Sequence, residues 1–305
     1  MNDLVSVIIP TYKRSEYLLQ TIDSVLKQTY TPIEIIVVDD NGLGSEWQKS
    51  TQLKLQKLIA DNKIEYIPHQ KNKNGSAARN TGFKASHGEY INFLDDDDEL
   101  LPNKIESQVN VLIKNRETYQ ATYCNRKLIR RQNITKKIIE SYSHCCQKGD
   151  VLEDYLFSRC LMGTSSILFR RCVIEKLGGW DESYFRHQDL ELMTRFFECF
   201  KICPTGDDSL MVYDLSKDRG NEPNPQKDYE IKKKYLIQFD SFFEKRGIRK
   251  EVMHYFWYNC MINAIVCKNI FIAFKAFREM KRYGNCTLKE RMNILKKILI
   301  GALNV

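Results

Sequence analysis

Three short apolar runs, Val5-Ser6-Val7-Ile8-Ile9, Ile33 to Val38 and Tyr90 to Leu94, each end in polar or acidic residues, with helical patterns between them. Runs of this length, rich in β-branched residues, suit strands buried on both faces. Strands that alternate with helices are joined by crossovers, and crossovers build a parallel sheet. The carboxyl ends of such strands line up along one edge, which is where an open α/β sheet collects its ligands. The expectation is therefore an α/β chain with a mostly parallel central sheet flanked by helices.

The spacing fills in the connections. Apolar residues at Leu18, Leu19, Ile22, Val25 and Leu26 predict a helix over Tyr17–Gln28. Further helices are expected over Leu53–Ile59, Ser76–Ala85 and Pro102–Lys114, with a short strand at Ile64–Ile67. After Tyr119 the pattern changes: Ala121–Cys124, Leu128–Arg130, Ile134–Ile139, Ser165–Phe169 and Leu210–Tyr213 read as strands, and Gly149–Phe157 and Gln188–Phe200 as helices. Lys217 to Pro225, with Gly220 and Pro223, reads as a linker, and everything beyond it as helix. The organisation expected is a catalytic domain over 1–215, in halves 1–100 and 101–215, and a helical basic extension over 216–305.

The chemistry concentrates at strand ends. Four consecutive aspartates, Asp95 to Asp98, follow the third run, and Asp39-Asp40 follow the second. Adjacent carboxylates raise the cost of ionising one another unless a cation or hydrogen-bond donors compensate. Oxygen donors at a strand edge suit a hard divalent cation with phosphate as co-ligand. If the segment is extended, alternate residues share a side, which pairs Asp95 with Asp97. Between the acidic clusters lies Asn74-Gly75-Ser76-Ala77-Ala78-Arg79-Asn80-Thr81-Gly82. Small residues there let backbone approach a ligand, and Arg79 can pair with phosphate or carboxylate. Asp189, at the start of a predicted helix, is by itself an ordinary N-cap aspartate.

The order of these pieces resembles family 2 glycosyltransferases of the GT-A fold. The matching motifs are Val5 to Tyr12, Glu34 to Asp40, Gly75 to Gly82, Phe93 to Asp98, Leu177-Gly178-Gly179-Trp180-Asp181-Glu182 and Gln188 to Leu192, so the resemblance covers about residues 4 to 214. It implies a Rossmann-like sheet and transfer of a sugar, most simply from a UDP-sugar, by direct displacement with inversion. It also implies roles: Pro10, Thr11, Tyr12, Asp39, Asp40, Arg79, Asp95 and Asp96 at the nucleotide; Asp97 with Asp95 on Mn2+ or Mg2+; and Asp189 as the base. Gly163, Thr164, Trp180 and Gln188 would shape the substrate pocket, and Lys217 and Arg219 a loop over the diphosphate. The family's usual Glu-Asp pair is here Gln188-Asp189, and the histidine often found near the diphosphate loop is missing. The acceptor implied is a glycan or lipid-linked intermediate of surface polysaccharide.

Charge separates the two parts of the chain. The net charge of +8 lies wholly beyond residue 215, where 19 Lys and Arg face 9 Asp and Glu. That excess points to an anionic membrane surface. Nucleic acid is not expected, because the basic residues accompany apolar faces and not a stacking platform. In the tail, Phe256 to Tyr258 and the series Phe271, Phe274 and Phe277 are read as core packing, and the final helix, with Met292, Leu295, Ile298, Leu299 and Leu303, as a membrane contact. Met1-Asn2-Asp3 lacks the basic start of a secretory signal, and Val252–Cys267 is too short and too polar to span a bilayer, so a cytoplasmic or peripheral protein is expected. Cys199, Cys203 and His187 lack the paired spacing of a zinc site. Two other functions compete. A sugar-nucleotide nucleotidyltransferase would need a glycine-rich loop after the first strand, where Pro10-Thr11-Tyr12-Lys13-Arg14 has none, and an inactive binding module would have lost Asp97 or Asp189.

Overall fold

The computed structural model describes residues 3–131, 138–143, 145–217 and 223–303. The chain forms two compact units, Met1–Lys217 and Asp218–Val305. The first runs β1 (Val5–Thr11), α1 (Ser15–Leu26), β2 (Ile33–Asp39), α2 (Glu46–Ala60), β3 (Glu65–Pro68), α3 (Gly75–Ala85), β4 (Tyr90–Phe93), β5 (Glu99–Leu100), α4 (Lys104–Lys114), β6 (Ala121–Arg131), β7 (Ile138–Tyr142), α5 (Leu152–Leu156), β8 (Ile167–Arg170), α6 (Arg171–Leu177), α7 (Gln188–Cys199) and β9 (Ile202–Asp214). A single 3-10 turn at Thr164–Ser166 leads into β8.

The sheet order is β3-β2-β1-β4-β8-β6-β9-β5, with β7 added on β6. Strands β3, β2, β1 and β4 are mutually parallel, as are β6 and β9; β8, β7 and β5 join antiparallel. Alternation along β1 serves both faces. Val5, Val7 and Ile9 join a buried cluster with Leu18, Ile22 and Val25 of α1 and Ile105, Val109 and Leu112 of α4. Ile8 faces α3, where a Cβ on Gly82 would come within 2.4 Å of the Ile8 Cγ2. Only glycine lets α3 lie this close to β1, and α3 carries Arg79.

Several sequence expectations needed revision. Asn125-Arg126-Lys127 reads as a break between two strands, but β6 is continuous, because register shifts against β9 around Asn125 absorb the polar residues. The strand expected over 134–139 is found at Ile138–Tyr142, and residues 132–137 lie outside those described. Helix α2 starts at Glu46, well before Leu53, because Ser45 caps it by accepting from the Gln48 N–H at 3.1 Å. The aspartate run is not extended: the Asp98 N–H donates to the Asp95 carbonyl at 3.1 Å, closing a turn. The alternate-residue argument for pairing Asp95 with Asp97 therefore fails.

The second unit is helical: α8 (Pro225–Gln238), α9 (Asp240–Lys245), α10 (Arg249–Val266), α11 (Ile270–Lys281) and α12 (Leu288–Leu303). Phe256, Trp257 and Tyr258 are buried, as expected. Phe271, Phe274 and Phe277 are exposed, against the expectation of core packing. A helix buries one stripe against a single neighbour, and α11 spends its buried stripe on Ile272, Ala273, Ala276 and Met280. Among the described residues, no helix is long and apolar enough to cross a membrane.

Candidate active site

The carboxyl ends of β1, β2 and β4 meet at one edge. Thr11 stands opposite Asp39, the Asp40 N–H donates to the Thr11 carbonyl at 2.9 Å, and the Leu94 N–H donates to the Ile8 carbonyl at 2.9 Å. These parallel registers bring the aspartate turn beside Thr11. The Thr11 hydroxyl donates to Asp96 Oδ2 at 2.7 Å.

The turn is buried and ringed by cations. Asp96 and Asp97 are inaccessible and Asp98 nearly so, while the Asp95 side chain is 33% exposed. The Arg14 guanidinium spans two of them, 2.8 Å from Asp96 Oδ1 and 3.2 Å from Asp97 Oδ2. Lys217 Nζ donates to the Asp97 carbonyl at 2.7 Å and lies 3.4 Å from Glu99. Beneath the turn, the wholly buried Lys104 donates to the Ser165 carbonyl at 3.1 Å, and Ser165 Oγ accepts from the Asp95 N–H at 3.1 Å. The Thr21 hydroxyl lies 2.9 Å from both the Asp96 and Asp98 carbonyls. Burial, only partly opposed by Arg14 and Thr11, pushes the Asp96 carboxyl up to about 7. Burial likewise brings the Lys104 ammonium down to about 8, against the pull of Cys124 and Asp98.

A second chain of contacts leads out of the turn. Arg79 Nη2 pairs with Asp95 Oδ1 at 2.7 Å, and its Nη1 donates to Gln188 Oε1 at 2.9 Å. The same guanidinium lies 4.7 Å over the Trp180 ring, so a buried aromatic face fixes its plane. Gln188 Nε2 donates to the Tyr184 carbonyl at 2.9 Å, holding the first turn of α7. The next residue is Asp189. The N-cap of α7 is His187, with φ +56, and Asp189 lies inside the helix. The capping role is thus excluded, and the Asp189 carboxylate makes no hydrogen bond or ion pair among the described residues. With Thr164 and Trp180 it borders a crevice too tight to admit a water molecule.

Other expected residues sit differently. Pro10 is buried within β1, behind the site. Asp39 is buried, accepting from the Asn41 N–H at 2.9 Å and the Tyr66 hydroxyl at 2.7 Å. Asp40 accepts from the N–H groups of Lys73 and Asn74 and from Asn72 Nδ2, and lies 2.7 Å from His69 Nδ1. Its carboxylate organises the loop ahead of α3, which leaves it little capacity for a ligand. Tyr12 is 42% exposed, with a face available for stacking. The carbonyl of Gly163 accepts from the Ser166 N–H at 2.9 Å. Arg219 lies outside the described residues. Sequence reasoning missed Arg14 and Lys104. For the two cations a signal existed, since an arginine just past the first strand and a lysine just past an acidic run are natural counter-charges.

Among the described residues no cluster of three or more His, Cys, Asp or Glu can hold a metal. Carboxylates on one turn, without a closed cage, fit a cation that takes the rest of its shell from phosphate oxygens. Among the described residues, Arg14, Arg79 and Lys217 pair with Asp95, Asp96, Asp97 and Glu99, and Lys104 lies buried below them.

Comparison with known proteins places the chain. The model of the family described as Glycosyl transferase family 2 matches residues 6–176. The chain belongs to that family. An uncharacterized glycosyltransferase of Rickettsia prowazekii, RP339, is 35% identical over 65% of this chain and 60% of its own length. Escherichia coli WfgD, named UDP-Glc:alpha-D-GlcNAc-diphosphoundecaprenol beta-1,3-glucosyltransferase, is 30% identical over 56% of this chain and 62% of its own. The chain thus spans about 60% of the length of these curated relatives. The crystal structure of S. aureus TarS 1–349 with UDP-GlcNAc superposes with a TM-score of 0.62 at 13% identity, covering 92% of this chain and 91% of that one. At that identity the likeness establishes the fold, which is GT-A with helices at the C-terminus.

Proposed function

We propose that the chain is an inverting glycosyltransferase that moves a sugar from a UDP-sugar to a hydroxyl of a glycan or lipid-linked acceptor in surface polysaccharide synthesis. The observation that carries this is the unbroken path Asp95–Arg79–Gln188, which ties the carboxylate turn to an unengaged aspartate, Asp189. The named activity of WfgD and the nucleotide sugar bound to TarS favour UDP as the carrier.

Each residue then has a task. Tyr12 stacks on the base, with Thr11 and Asp39 at its edge, and Asp40 positions the loop that leads to Arg79. Asp95 faces the nucleotide, and Asp97 with Asp95, as the family resemblance implies, would hold Mn2+ or Mg2+, which would neutralise charge on the diphosphate. Arg14 and Lys217 add positive charge at the same place. Asp189 takes the proton of the acceptor hydroxyl as its oxygen bonds to the anomeric carbon, and the bond to the diphosphate breaks with its electron pair leaving on phosphate oxygen. Gly163, Thr164 and Trp180 border the acceptor side. Residues 1–100 are assigned to the donor and 101–215 to the acceptor, with the protein working at the cytoplasmic membrane face.

A panel of nucleotide sugars, scored for slow donor hydrolysis and then for transfer, tests the reading. UDP-sugars should be turned over, and Asp189→Asn should abolish transfer while titrating UDP in the presence of Mn2+ as the native protein does. Near-native transfer by Asp189→Asn would sink the assignment.

A further inference from the structure

Helix α11 has two unlike faces. Ile272, Ala273, Ala276 and Met280 are buried, while Ile270, Phe271 and Phe274 are 83%, 67% and 60% exposed. Ile270, Phe274 and Phe277 are spaced i, i+4, i+7, which places them on one stripe. Helix α12 repeats the pattern with Leu288, Met292 and Leu295, exposed to 75%, 63% and 60%. Single exposed apolar side chains are common on proteins, but two stripes in one small unit are not.

The charges around the stripes decide what covers them. From Lys268 to Lys297 there are nine Lys and Arg and two Glu. Both glutamates are already engaged, Glu279 with Arg282 and Glu290 with His254 and the Thr287 cap. Lys275 Nζ lies 4.3 Å over the Phe271 ring, so cation and aromatic face form one amphipathic surface. A second copy of the chain would bring like charges together on this face, whereas an anionic lipid headgroup layer complements it.

We infer that α11 and α12 seat the C-terminal unit on an anionic lipid surface, with Phe271 and Phe274 entering the boundary between headgroups and acyl chains. This adds α11, with its aromatic anchors, to the contact expected of the last helix. It builds on the lipid-linked acceptor proposed above but is measured without it.

The full chain is floated with vesicles of phosphatidylcholine alone or mixed with phosphatidylglycerol, at low and high salt. Binding to the mixed vesicles should exceed binding to phosphatidylcholine by about tenfold and weaken with salt. The double variant Phe271→Ser/Phe274→Ser should bind about tenfold less or worse, with unchanged thermal melting and UDP titration. Lack of binding by the native chain, or equal binding by the variant, overturns the inference. So does light scattering that shows a native dimer lost in the variant without lipid binding, which would assign the face to a second copy. Vesicle binding with an inactive enzyme would leave the inference standing and remove the proposed activity.

Discussion

The aspartate turn at 95–98 and the lone Asp189 show two opposite ways of keeping a carboxylate. In the turn, two guanidinium contacts, a lysine at a carbonyl, a buried lysine below and two hydroxyls surround the acids, three of which are essentially inaccessible. The Asp189 carboxylate has no partner among the described residues and borders a tight crevice. A group meant to hold charge is best fixed in place and compensated, whereas a group meant to take up a proton must keep its lone pairs available.

The contrast can be broken or sharpened by substitution. Asp97→Asn should lose about 10²-fold or more in transfer, as for other electrostatic contributors. It should also lower stability, unlike Asp189→Asn, because Arg14 keeps only one of its two carboxylates; chemical denaturation beside the assay separates these effects. Arg14→Gln should cost about 2–3 kcal/mol of unfolding free energy, less than a fully buried pair because the arginine is 25% exposed. Equal stability to the native protein would mean that the turn does not need its guanidinium.

A third measurement is a pH series on native protein and Asp96→Asn. The folded pKa of Asp96 is raised to about 7 from an ordinary carboxylate value, so the folded state holds this proton more tightly than the unfolded chain. The contribution is favourable at low pH and is lost as pH rises from about 4 to about 7. Relative to Asp96→Asn, the native protein should lose stability across that window by about 2–4 kcal/mol, read from urea midpoints. The smallest effect is expected for Gln188→Glu. The new carboxylate would share Arg79 with Asp95 and keep the link to α7, so transfer should change by less than about tenfold, about 1.4 kcal/mol. A loss as large as that of Asp97→Asn would show that the neutral amide at 188 is required.

The sheet edge was legible because strand ends and acids coincide in the sequence. Tyr90 to Leu94 and the run after it could hardly be read otherwise. The inward orientation of the run was not legible, since burial of Asp96 and Asp97 depends on Arg14, over 80 residues away in sequence. Lys104 could be read as a counter-charge to the run, but its complete burial could not, because that depends on Ser165 far along the chain. The exposed aromatic stripe of α11 was misread because periodicity reports that a helix has an apolar face but not which of two apolar faces meets the core.

Asn80 and Gly179 carry one more consequence. Asn80 Oδ1 accepts from the Trp180 N–H at 2.8 Å, and its Nδ2 donates to the Trp180 carbonyl at 2.9 Å. A Cβ on Gly179, whose φ is +81, would stand 2.6 Å from Asn80 Oδ1. The segment that leads to Asp189 is therefore indexed to α3, and not to the hundred or so residues that come between them in the chain. Insertions in the loops between α4 and β8 would therefore leave the placement of Gln188 and Asp189 against Arg79 unchanged.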